Sequence, residues 1–185
     1  LRRARELQPF VDTADLLLDL HSMHEACQPL MVCGTTGRGG EKGAALARRL
    51  AVPEVLLIDT GHPAGLRMIE RGGFADPSSP RTALLIECGQ HWERGAEAVA
   101  LDTMLRFLGH SGTLPQPFVR QHLQRIGFVP PARQQLVRVT EAVVARHLDF
   151  RFVREFHGLQ VLDKAGEPIA TDGGEVIRAP YDHPV

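Results

Sequence analysis

His21 and Glu87 are the residues of this chain whose type and setting could do chemistry. His21 closes the run Asp15-Leu16-Leu17-Leu18-Asp19-Leu20-His21-Ser22, and Glu87 comes late in Thr82-Ala83-Leu84-Leu85-Ile86-Glu87-Cys88-Gly89. Each run holds about four to six apolar residues, short for a helix and typical of a strand buried on both faces. In open α/β sheets, ligands bind outside the carboxyl ends of the strands, where both groups would be delivered. A neutral imidazole there can hold zinc, and a carboxylate can serve as general base in metal-assisted hydrolysis. A glutamate ending an apolar run is costly unless paired or functional, and partial desolvation would lift its pKa toward a useful range. The bland alternatives are a strand-end histidine satisfied by backbone groups and a glutamate in a buried salt bridge. Asp19, two residues before His21 and on the same face, could orient the ring.

Leu18-Asp19-Leu20-His21-Ser22 resembles the Asp-Leu-His-Ser/Asn segment of the succinylglutamate desuccinylase/aspartoacylase family, within the zinc carboxypeptidase-like superfamily. Ile86-Glu87-Cys88-Gly89 is similar to that family's Glu-x-Gly segment, and the tail, Gly166 to Ala170 with Val176 to Pro180, to its C-terminal β-rich domain. The resemblance implies His21 as third zinc ligand, Glu87 as catalytic acid/base, and Zn2+ as cofactor. It implies a small-molecule N-acyl amino acid, or a related small N-acyl amine, as substrate, cleaved by a zinc-dependent amidohydrolase (a deacylase). The C-terminal domain would then narrow the cleft and exclude large peptides.

The family's first two ligands lie upstream, in a His-x-x-Glu segment followed by an Asn-Arg pair, and neither is present before Leu16. The chain opens on Leu1-Arg2-Arg3 and stops at Pro184-Val185. The expectation is therefore a fragment, inactive by itself, whose other ligands lie outside it. Two rival readings belong to other classes: a noncatalytic binding or regulatory module that has lost the metal, and a nucleotide-binding protein using a glycine-rich loop.

That loop, Gly34-Thr35-Thr36-Gly37-Arg38-Gly39-Gly40, could cradle an anion before a helix. It fails the Walker pattern, because Lys42 is followed by Gly43 rather than Ser or Thr; a flexible active-site rim is expected instead. His21 and His24 fall one residue short of the His-Glu-x-x-His spacing, so His24 and Glu25 are read as facing solvent or substrate. His62 and His91 follow strand ends and could line the crevice, although a plain loop role is the simpler reading. Arg67 and Arg81 are the substrate-binding candidates, since a guanidinium grips a carboxylate bidentately. Arg81 begins the strand whose far end bears Glu87, which counts against it.

The elements that must position these groups alternate. A helix is expected over 2–12, strands over 16–20, 30–33 and 55–59, and helices over 41–50 and 63–71. A strand over 82–89 and an amphipathic helix over 93–108 follow. Strand–helix alternation indicates α/β architecture, and the resemblance implies a mixed sheet flanked by helices with a small C-terminal β-rich domain. The expected division is a catalytic α/β domain over 1–112, a connection over 113–136 and a β-rich domain over 137–185, with Asp172-Gly173-Gly174 as a hairpin turn.

The chain has 185 residues, 43% of them hydrophobic, and a net charge of −1. That suffices for one sizeable core and argues against a nucleic-acid partner. No stretch approaches the roughly 20 apolar residues of a membrane helix, so no membrane partner is expected. Cys27, Cys33 and Cys88 lack zinc-ribbon or Cys-x-x-Cys spacing, which favours reduced thiols in a cytoplasmic protein. Oligomeric state stays open, a homo-oligomer included.

Overall fold

A computed structural model describes residues 2–61 and 65–185. The chain divides into two compact units: residues up to His24 with 29–140, and residues 25–28 with 141–185.

The first unit is built on a five-stranded sheet. Its strands are β1 (Leu16–Met23), β2 (Leu30–Thr35), β3 (Val55–Asp59), β4 (Thr82–Gln90) and β5 (Gln135–Arg138), in the order β1-β4-β2-β3-β5. β4 runs parallel to β1 and antiparallel to β2, while β2, β3 and β5 are mutually parallel. The sheet is thus mixed, as the resemblance implied. Helices α1 (Arg2–Thr13), α2 (Gly40–Leu50), α3 (Arg94–His110) and α4 (Gln116–Ile126) complete the unit.

β4 is apolar along its length because it lies inside the sheet, with Thr82 to Ile86 buried without a break. Alternation splits its side chains between two faces. Leu84, Ile86 and Cys88 join Met31, Cys33, Leu56 and Ile58 in a core closed by Ala44, Ala47 and Leu50 of α2 and Val99 and Phe107 of α3. Glu87, between Ile86 and Cys88, points to the opposite face.

The glycine-rich loop is not a rim of the candidate site. β2 is antiparallel to β4, so the loop leaves the sheet at the end where β4 begins. Its glycines serve close packing: a Cβ on Gly43 would collide with the Cys33 carbonyl, and one on Gly39 with the Phe74 carbonyl. α2 therefore sits nearer to β2 than any larger residue would allow.

The helix expected over 63–71 lies partly outside the described residues; within them the chain forms two 3-10 turns, Met68–Glu70 and Gly72–Phe74. The stretch expected to be a connection holds α4 and opens β5, which pairs with β3, so the second unit starts at Glu141 rather than Val137. Edge pairing to β3 absorbed the alternating pattern that had suggested a new domain. The second unit carries a three-stranded antiparallel sheet of β6 (Arg151–Phe152), β7 (Pro168–Asp172) and β8 (Glu175–Arg178). Gly173 and Gly174, both at positive φ (57° and 86°), make its two-residue hairpin turn.

Candidate active site

β1 and β4 are in register, and the register sets His21 opposite Glu87. Partners on neighbouring parallel strands lie about 4.8 Å apart and share a face, so the imidazole and the carboxyl emerge side by side. Just beyond, the pairing slips between His21 and Met23, at the level where Gly89 takes a φ of +114°. A side chain would strain that backbone, which is a physical reason for glycine two residues after Glu87.

Each group is held differently. Asp19, on the same face, places Oδ1 3.1 Å from His21 Nε2, while Nδ1 makes no hydrogen bond among the described residues. Glu87 Oε2 is buried and has no hydrogen-bond partner there. Burial pushes the Glu87 carboxyl above its ordinary range; His21 and His91 pull it back and Asp19 adds to the rise. An orphaned carboxylate oxygen beside an imidazole with one unengaged nitrogen is an arrangement that a cation or a proton-bearing substrate would complete.

His91 was the contributor that sequence reasoning undervalued. Its backbone N–H donates to the Met23 carbonyl at 2.9 Å, its Nδ1 lies 2.6 Å from Ser22 Oγ, and its ring meets that of His24 edge-on at 4.6 Å. Gln90 Nε2 donates to the His24 carbonyl at 3.1 Å. These bonds stitch the ends of β1 and β4 together. The available signal was position: Ser22 follows His21, and His91 follows Gly89. A crevice of about 520 Å³ opens beside these strand ends, lined by His21 with Leu20, Ser22, Cys88, His91 and Arg94 but not by Glu87, because most of its wall belongs to the face of the sheet that α3 covers. Arg94 has no ion-pair partner among the described residues, and its place at a helix start had given no reason to single it out.

The structure does not bring Arg67 and Arg81 to this pair, which corrects the expectation for both. Arg67 grips Asp59 with two bonds (2.6 and 2.8 Å) and Glu70 with two more (2.9 and 3.1 Å). Asp59 ends β3, at the end of the sheet away from Glu87. Arg81 donates to the carbonyls of Ala14 (2.7 Å) and Val11 (2.8 Å) and lies over the Phe74 ring at 4.6 Å. At about 3.3 Å per residue it stands roughly 20 Å along the strand from Glu87. Both guanidiniums are already committed to backbone and carboxylate partners. His62 lies outside the described residues.

A catalytic zinc takes three protein ligands and an open position. The donors at the β1–β4 end fit one corner of such a site, His21 with an unengaged nitrogen, and a base, Glu87; the described residues there do not complete the set. Among the described residues, the one group of three donors close enough to share an ion is His147, Asp149 and Asp172, in the second unit. Those groups are already employed: Asp172 accepts from the Arg146 and His147 backbone (2.8 and 2.9 Å) and lies 3.0 Å from His147 Nδ1, while Asp149 accepts from Gly173. They pin residues 146–149 to the β7–β8 hairpin. No helix among the described residues is long and apolar enough to cross a membrane.

No protein-family model and no curated protein matches the chain. Solved structures do. Succinylglutamate desuccinylase from Vibrio parahaemolyticus is similar over 98% of this chain and 53% of its own, at 20% identity and TM-score 0.61. The Vibrio cholerae enzyme of that name covers 98% and 52%, at 19% and 0.61. The ectoine utilization protein EutE of Ruegeria pomeroyi covers 100% and 60%, at 16% and 0.58. The chain thus spans about half the length of the desuccinylase structures it matches, and at these identities the likeness is one of fold. In its fold, a mixed five-stranded sheet with flanking helices and a small antiparallel sheet, this chain belongs with the succinylglutamate desuccinylase/aspartoacylase structures.

Proposed function

We propose that the protein is a zinc-dependent amidohydrolase of the succinylglutamate desuccinylase/aspartoacylase family, one that removes the acyl group from an N-acyl amino acid or related small N-acyl amine in the cytoplasm. The observation that carries this is the in-register placement of His21 beside Glu87 with a buried, unpartnered carboxylate oxygen. His21 would hold the metal, its ring oriented by Asp19. Zinc would polarise the amide carbonyl and acidify water. Glu87 takes a proton from the attacking water and passes it to the departing amine, a task its raised pKa suits. Arg94, on the wall of a crevice that His21 also lines, is the proposed anchor for a substrate carboxylate.

A noncatalytic module on the same fold is the second reading, favoured by the single ligand in the described residues. Zinc content of the full-length gene product, measured together with amine release from a panel of N-acyl amino acids, decides between them. Near one zinc per chain, lost in His21→Ala, with activity lost in Glu87→Gln, supports the deacylase. Absence of zinc and of turnover in the full-length protein points to the module.

A further inference from the structure

Charge is unevenly distributed along the chain. Residues 103–140 contain five arginines and no Asp or Glu, whereas the rest holds 16 basic and 22 acidic residues. The segment spans the second half of α3 and all of α4 and β5. Two of its arginines are neutralised, Arg106 by Asp102 and Arg138 by Glu41. Arg120, Arg125 and Arg133 have no ion-pair partner among the described residues. A run of unpaired cations in a chain of net charge −1 is unlike a mixed solvated surface, on which both signs intersperse.

The same segment bears a groove between α3 and α4, about 470 Å³ in volume and almost wholly apolar in its walls. Leu101, Met104 and Leu108 form the α3 side, and Phe118 and Ile126 the α4 side, with Arg125 on the rim. Leu101 and Phe118 are 38% and 42% exposed. Phe118 is further held by the His122 ring, stacked 3.9 Å away, so the α4 wall is a fixed shape rather than a loose side chain. An apolar channel between two helices accepts a third helix at ordinary packing distance, through anchors spaced i, i+3, i+4, i+7. An aromatic and an arginine at its edge are the residue types that dominate binding energy.

We propose that the α3–α4 groove docks an acidic amphipathic helix from a partner protein. The apolar face of that helix covers Leu101, Met104, Leu108 and Phe118, and its carboxylates meet Arg125, the one charged residue of the groove wall. A channel between helices suits a rounded rod better than a flat lipid surface. The unopposed positive charge selects carboxylates over cations on the incoming helix. This docking surface is independent of the proposed deacylase chemistry.

The probe is a capped helical peptide of roughly 16 residues, with leucine at i, i+3, i+4 and i+7 and glutamate elsewhere, alongside its lysine counterpart. Fluorescence anisotropy with this chain should show the acidic peptide binding at least about tenfold more tightly than the basic one, weakening as salt rises. Arg125→Glu should cut that affinity by about tenfold or more and reverse the preference, with the circular dichroism melt unchanged; Arg5→Glu, on exposed α1, should change neither. Equal binding of the two peptides, or no binding of the acidic one at roughly 1 mM, overturns the proposal, as does affinity unmoved by Arg125→Glu. Sedimentation showing self-association abolished by Arg125→Glu, or flotation with phosphatidylserine vesicles without peptide binding, overturns it in favour of a second copy or a membrane.

Discussion

Glu70 and Glu87 are both shielded carboxylates at opposite ends of one sheet, and they are treated in opposite ways. Glu70 receives Thr35 Oγ1 at 2.5 Å, the Arg67 backbone N–H at 2.8 Å and the Arg67 guanidinium. Against the cost of burial, those bonds hold its carboxyl at about 2. Glu87 has an oxygen with no partner, and burial moves it the other way. The Arg67–Asp59–Glu70 cluster is fastening; the His21–Glu87 pair leaves a buried carboxylate oxygen unpartnered, the feature on which the proposed chemistry rests.

The contrast can be broken in four ways, in falling order of effect. In the full-length protein, Glu87→Gln should reduce kcat by about 10,000-fold, the upper end for a general acid–base group, while the urea midpoint stays level or rises because an unsatisfied charge has gone. A fall in stability as large as that of a Glu70 variant would erase the distinction. Glu70→Ala should destabilise the first unit by roughly 3–4 kcal/mol, since it strands Arg67 among half its partners; denaturant titration would measure it, with turnover of the folded fraction unchanged.

The third is a matter of pH. Glu70's folded pKa is depressed, so its contribution is present above the ordinary carboxylate range and is lost as pH falls through the folded value near 2. Between pH 5 and 2 this group alone should remove about 3 kcal/mol. Glu70→Gln should flatten that part of the stability profile, and identical slopes for the two proteins would refute the assignment. Last, Arg94→Ala should raise KM for a carboxylate-bearing substrate by about tenfold at little cost in kcat, a loss of uniform binding; a pure kcat effect would place Arg94 elsewhere in the reaction.

Much of this was legible in the residues. β2, β3 and β4 announced themselves as apolar runs, whereas β1, read as buried on both faces, is an edge strand with no buried residue, its leucines packed on one side only. What could not be read was direction. Nothing in Leu30 to Thr35 shows that β2 runs against β4, yet that reversal sends the glycine loop, Asp59 and Arg67 to the far end of the sheet. The arginines misled for a related reason: a guanidinium that grips Asp59 and one that grips a substrate look alike in sequence. Gln135 to Arg138 alternates like the strands that follow, and only pairing to β3 assigns it to the first unit. The His91–Ser22 bond joins residues 69 positions apart, beyond any local pattern.

The strand order carries a consequence for how the protein comes to life. β1 and β2 are consecutive in the chain, but β4 stands between them. During synthesis the residues that precede β4 can emerge and collapse without the pair existing in any form, because the carboxylate half is not yet made. His21 gains its neighbour only when β4 threads into the gap and pairs with strands on both sides, a long-range and therefore slow closure. A chain that has taken up β4 in the wrong register, or left it out, does not set His21 beside Glu87.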